Sequence, residues 1–125
     1  MIYLVATFKD DPFHPLDNPV PQLVTSPVVH QGGDVLVTAT KCNRAKEDVA
    51  FISKAYYRNL ATRELTLFRS GEGAREPGCK TIDYVNPVPP DLPIGVYQIE
   101  GVDTAVQGTQ VQREPFRTQP FEVIE

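Results

Sequence analysis

Two histidines, two cysteines and sixteen acids are the groups in this 125-residue chain from which chemistry could be assembled. A nucleophile needs a base beside it, and both histidines, His14 and His30, lie in a proline-rich stretch. No Gly-x-Ser-x-Gly elbow occurs anywhere in the chain. His14 reads as a solvent-facing turn residue and His30 as a polar residue leading into a turn. The two histidines with Asp10, Asp11, Asp17 and Asp34 match no metal-ligand spacing, and a proline-rich segment is a poor rigid scaffold for a metal. Asp10, Asp11 and Asp103 could at most hold Ca²⁺ weakly; the ordinary reading is solvated loop acids. Gly71-Glu72-Gly73 lacks the Lys-Ser/Thr of a phosphate loop, and Glu72 would repel the anion. No carboxylate pair stands out for glycoside cleavage. The expectation is a protein that is not an enzyme and has no cofactor.

Cys42 and Cys79 allow one disulfide and no multi-ligand zinc site. Without an export signal, two free and partly buried thiols are expected.

Side chains suited to contact with a partner are easier to find. Tyr56 and Tyr57 are adjacent, so on a strand one ring faces away from the core. Arg58 and Arg63 follow closely, with Arg69 nearby, and Tyr with Arg is a pairing enriched at protein interfaces. The plainer alternative is a tyrosine packed on an arginine stem at the surface. A second candidate is the apolar opening run with Ile2, Tyr3, Leu4, Val5 and Phe8, which could add a strand to a neighbour's exposed sheet edge.

Composition narrows the partner. A net charge of −4 with no visible basic face argues against nucleic acid and against anionic membranes. The opening run has no positive flank, meets Lys9-Asp10-Asp11 at once and is too short to span a bilayer, so neither a signal peptide nor a transmembrane segment is expected.

The elements that must position these groups read as strands. Twelve prolines and eight glycines in a chain that is 41% hydrophobic point to a turn-rich domain with a real core. Residues 1–30 are expected to form an extended N-terminal arm, with a short edge strand at Gln22-Leu23-Val24-Thr25, and residues 31–125 one domain. After the turn Gln31-Gly32-Gly33-Asp34, the residues Val35, Val37 and Ala39 alternate with Leu36, Thr38 and Thr40, the pattern of a half-buried strand. Residues 43–60 fit both helical spacing (Ala45, Val49, Ile52, Tyr56, Leu60) and a period of two; strand is favoured for 50–58 because its neighbours are strands. Further strands are expected at 65–68, ended by Ser70-Gly71-Glu72-Gly73, at 80–85, at 96–102 with a bulge at Gly101, and at 121–124 with Phe121 and Val123 inward. A hairpin with its tip near Gly108 separates the last two.

Between them lies Pro87-Val-Pro-Pro-Asp-Leu-Pro-Ile-Gly95-Val-Tyr97, whose prolines at 87, 89, 90 and 93 exclude helix and central strand. The stretch from Leu92 to Tyr97 resembles the tyrosine corner of Ig-like sandwiches, in which the ring is buried and the hydroxyl caps the incoming loop. About seven strands at this spacing make an all-β, Ig-like antiparallel β-sandwich. That likeness leaves a bridge between strands B and E open for the two cysteines if the protein is extracellular. The run from Val88 to Tyr97, with Arg117-Thr-Gln-Pro-Phe-Glu-Val123, is also similar to small Ig-like domains in tailed-phage structural proteins. The resemblance implies a virion component, a capsid decoration or tail-associated protein made in the host cytoplasm, whose partners are other virion proteins or copies of itself. The alternative is a recognition module for a cell-surface glycan or receptor, binding through loops at residues 70–78 and 105–113.

Overall fold

The computed structural model describes residues 13–125. In chain order its strands are β1 (Leu16–Asp17), β2 (Leu23–Val24), β3 (Val28–His30), β4 (Asp34–Asn43), β5 (Val49–Asn59), β6 (Leu65–Arg75), β7 (Gly78–Pro87), β8 (Gly95–Gln107), β9 (Gln110–Arg117) and β10 (Phe121–Ile124). One sheet has β4 at its centre, with β7 along one edge and the short β1 and β2 along the other. The second runs β3-β10-β8-β5-β6, and β9 continues the edge of β8 that β10 begins. Every pairing between these strands is antiparallel except β3 with β10. The result is an all-β sandwich of two sheets. Among the described residues no helix is long and apolar enough to cross a membrane.

The alternation expected for β4 holds: Val35, Val37 and Ala39 are buried and their neighbours face out. The ambiguous stretch at 43–60 becomes β5 because both of its edges are paired, to β6 and to β8. Tertiary pairing overrides helical spacing, and Ile52, an anchor of the helical reading, is 47% exposed. Tyr97 forms the expected corner. Its ring is buried, its hydroxyl donates to the Pro93 carbonyl at 2.6 Å, and Gly95 supplies the positive φ of 151° at the entry to β8.

Four expectations are corrected. Ser70 to Gly73 is no turn: β6 runs through it to Arg75, because β5 continues to pair with it. Gly101 is no bulge: the ladders on both sides of it are in register, and the shift lies between Ala55 and Tyr56. A Cβ at Gly101 would collide with the Phe116 ring and the Lys54 carbonyl, so the glycine makes room for that ring. Residues 13–30 are not a separate arm. Leu16 is fully buried, β1 and β2 pair with β4, and β3 pairs with β10, so the boundary at residue 30 falls inside the sandwich. Finally, Cys42 and Cys79 are not free thiols. The β4–β7 register sets them directly opposite with Cα atoms 4.0 Å apart, and they are disulfide-bonded.

Two apolar clusters fill the interior. The larger contains Val35, Val37, Tyr57, Tyr97, Phe121 and Val123; the smaller, at the end holding the start of β5 and the end of β8, contains Phe13, Leu16 and Ala105. Between them the inward positions are polar.

Candidate functional site

That polar layer is built by strand alternation carried one step too far for an apolar core. On β4 the inward phase of Val35, Val37 and Ala39 arrives next at Lys41 and then Asn43. On β8 the phase of Tyr97 and Ile99 passes through Gly101 to Asp103, which pairs across the ladder with Ser53 of β5. Arg75 closes β6 and Asn18 follows β1. Lys41, Arg75, Asn18 and Asp103 are all buried, Asp103 completely.

Asp103 Oδ2 is the centre. It accepts from Arg75 at 2.9 Å, from the Asn18 amide at 2.9 Å and from the Lys41 ammonium at 3.2 Å. The Arg75 guanidinium also donates to Asn18 Oδ1 at 3.0 Å and to the Cys42 carbonyl at 3.1 Å, while the Asn43 amide donates to the Arg75 carbonyl at 2.8 Å. Aromatic faces cover the cations: Lys41 lies 4.8 Å from the Phe116 ring centroid and 5.4 Å from that of Tyr84, and Arg75 lies 5.2 Å from Phe51. Gln112 seals the end next to the smaller cluster by exchanging two 2.8 Å bonds with the Leu16 backbone.

The electrostatics follow from burial against pairing. Burial pushes the Asp103 carboxyl up, but Lys41, hydrogen bonds from Ser53 and Asn18, and Arg75 together hold it below its ordinary value. For Lys41 the balance goes the other way: burial lowers its pKa, Asp103 resists, and Arg75 and Arg69 add to the lowering. The layer is therefore a buried ionic cluster with more positive than negative charge.

The residues singled out from sequence lie elsewhere. Ile2, Tyr3, Leu4, Val5 and Phe8 lie outside the described residues. Tyr56 and Arg58 share the outward face of β5, where Tyr56 sits half-buried opposite Leu67 and Arg58 pairs with Glu100. Tyr57 is corrected from partner contact to core: it is completely buried, stacks on Phe68 at 4.2 Å and donates its hydroxyl to the Pro87 carbonyl at 2.6 Å. Arg63 lies in the β5–β6 turn at φ 71°, exposed, and its carbonyl accepts from Arg58 at 3.4 Å. So Tyr56 and Arg58 are brought together, Arg63 is reached only through its backbone, and Tyr57 is withdrawn. Asp103 is no loop acid but the buried anion of the cluster. Among the described residues no three His, Cys, Asp or Glu side chains gather as metal ligands would.

Sequence reasoning missed Lys41, Arg75 and Asp103 as a group. The available signal was phase: Lys41 and Asp103 fall on the inward register of strands whose other inward residues are apolar, and a charge in that register requires a buried partner.

No protein-family model matches the chain, and no curated protein matches it. Solved structures share the fold. A Pseudomonas fluorescens alkylpurine DNA glycosylase, AlkC, bound to DNA containing an abasic site analog, is similar at TM-score 0.58 and 12% identity over 89% of this chain. The chain covers 31% of that protein, about a third of its length. The C-terminal domain of Wzt is similar at TM-score 0.56 and 11% identity, over 89% of this chain and 74% of that one. A CARDB domain from Pyrococcus furiosus, in complex with di-metal ions, gives TM-score 0.54 and 15% identity, over 89% of this chain and 96% of that one. Likeness at these identities establishes a shared sandwich fold.

Proposed function

We propose that the chain is a non-enzymatic assembly module that works through protein surfaces. The observation that carries this reading is the free edge of β6. Among the described residues this 11-residue strand pairs with β5 on one side and with nothing on the other, and it leaves Leu65 and Leu67 exposed at 49% and 54% beside the outward ring of Tyr56. A long edge with apolar side chains is a template for a further strand. The donor is the apolar run of residues 2–8, with Ile2, Tyr3, Leu4, Val5 and Phe8 contributed by a neighbouring copy or another assembly protein. The likeness to tailed-phage Ig-like domains supplies one setting, a decoration or tail-associated position in a virion.

The test is size. The full chain, a form lacking residues 1–12 and a Leu65→Ser/Leu67→Ser double variant are compared by light scattering after gel filtration, alone and with the native assembly. The reading expects the full chain to self-associate or incorporate and both altered forms to stay monomeric and folded. Unchanged incorporation of the shortened form sinks it.

A further inference from the structure

We propose that the cleft between β6 and β7 binds a small ring-bodied carboxylate, a monosaccharide-sized sugar acid, through Arg69 and Lys41. The two strands are edges of different sheets, so the sandwich is open along this side, and their inner faces form its walls. On β6 the inward positions read Arg69, Gly71, Gly73, Arg75: a basic side chain at each end and none between. A Cβ on Gly71 would meet nothing within 4 Å, so the gap there is open space. At Gly73 a Cβ would come within 2.9 Å of the Phe51 ring, and the glycine lets that ring form the floor. The cleft has two lobes of about 200 and 190 Å³ that share Lys41, Phe51 and Tyr84. Each is below the size of a drug-like pocket and suits one small ring.

Charge selects the ligand class. Lys41, Arg69, Arg75 and Lys80 line the cleft against the carboxylates of Glu72 and Glu76, and Asp103 is fully buried behind Lys41 and Arg75, so the lining is positive on balance despite Glu72. Arg69 makes no ion pair among the described residues; its guanidinium donates to Asn86 Oδ1 at 3.0 Å and lies 5.5 Å from the ring centroids of both Phe68 and Tyr84. A guanidinium pre-positioned on aromatic faces with donors to spare is suited to take a carboxylate. At the rims, Glu76 is occupied by Lys80 at 2.6 Å, and Glu72 borders the first lobe. Glu72, Ser53 and Tyr84 can exchange hydrogen bonds with ring hydroxyls while the Tyr84 ring packs on the sugar's C–H face. A bare phosphate would leave these groups and the aromatic walls unused.

The experiment is an amide NMR titration of the full-length chain with glucuronate, and in parallel with glucose, benzoate and inorganic phosphate. Saturable shifts at Gly71, Gly73 and Tyr84 with glucuronate, none with glucose and weaker ones with benzoate or phosphate are expected. Arg69→Gln should weaken glucuronate at least tenfold. Gly71→Val, which fills the open space with a strand-favouring residue, should abolish binding with the thermal midpoint held. Absence of saturable shifts with glucuronate overturns the proposal, as does equal response to glucose, or binding that survives both variants in folded protein. Phosphate binding tighter than glucuronate would overturn the sugar-acid assignment.

Discussion

At one end of the sandwich the sheets meet through Tyr57, Tyr97, Phe121 and Val123; toward the other they meet through Lys41, Arg75, Asp103 and Asn18. Both regions are buried, yet they are held differently. The apolar end is cohesive in every direction: the Tyr57 ring lies 6.4 Å from Tyr97 and 6.2 Å from Phe121, edge to face in both cases. The polar end depends on one atom, Asp103 Oδ2, on which three donors converge. An apolar core loses stability in proportion to the volume removed, whereas an ionic cluster fails as a unit when its central charge is lost. The difference also has a topological cause. The apolar end is closed by the corner loop, while the polar end opens between β6 and β7, where charged stems tolerate the proximity of water.

The largest effect should come from removing that central charge. Asp103→Ala strands two buried cations and is expected to cost about 3–5 kcal/mol in urea denaturation. Replacing the whole cluster together, as Asp103→Leu, Lys41→Met and Arg75→Leu, should restore stability to near or above the parent, because the desolvation cost of all three charges disappears with them. A cost of less than about 1 kcal/mol for Asp103→Ala would mean that water solvates the cluster, and the contrast between the ends would collapse.

Next in size is the disulfide, which clamps the polar end by joining β4 to β7 across 37 residues of chain. Reduction, checked against a Cys42→Ser/Cys79→Ser variant, is expected to cost about 2–4 kcal/mol through the freedom returned to the unfolded chain. If Asp103→Ala and reduction are coupled, their combined cost will differ from the sum, since Arg75 bonds both Asp103 and the Cys42 carbonyl.

Acid should find the polar end first. The Asp103 carboxyl is held below the unfolded value of about 3.9. Its contribution is therefore complete above that value and is lost as pH falls through the folded one. Denaturation midpoints measured from pH 6 down to pH 2 should fall more steeply for the parent than for Asp103→Asn. Parallel curves would remove Asp103 from the account of acid sensitivity.

How much of this contrast was visible in the sequence depends on the end considered. The apolar end is written in local signals: alternating valines in β4, the proline-bounded corner and Tyr97 after Gly95. Each of these needs only near neighbours to take effect, so the strand and corner readings hold in the structure. The polar end is assembled from Asn18, Lys41, Arg75 and Asp103, which no short motif connects; only the register of β4, β6 and β8, with the residue that follows β1, brings them together. The same non-locality hid the continuation of β6 through Gly71 and Gly73, residues that read as a turn in isolation but are held straight by pairing with Ser53 and Phe51. It also hid the disulfide, since Cys42 and Cys79 become partners only once β4 and β7 are in register. The Tyr56–Tyr57 pair was legible as one ring in and one ring out; which ring was which required the neighbouring strands.

The smallest changes test whether the two ends are independent. Tyr57→Phe and Tyr97→Phe each remove one hydroxyl whose acceptor is a backbone carbonyl, Pro87 at the end of β7 in one case and Pro93 in the corner loop in the other. Each should cost about 1 kcal/mol, because the carbonyl left behind can turn to water. Alkali adds a second reading. Burial raises the Tyr57 pKa, so its contribution is complete below the unfolded value of about 10 and is lost as pH rises above it. The parent should therefore lose stability above pH 10 relative to Tyr57→Phe. Tyr97→Phe touches neither β6, β7 nor Asp103, and Tyr57→Phe keeps the ring stacked on Phe68 of β6 while giving up one bond to the end of β7, so glucuronate titrations of both variants should match the parent. A Tyr97→Phe protein that stays folded but loses the amide shifts at Gly71 and Tyr84 would show that the corner governs the open side, and that the two ends behave as one body.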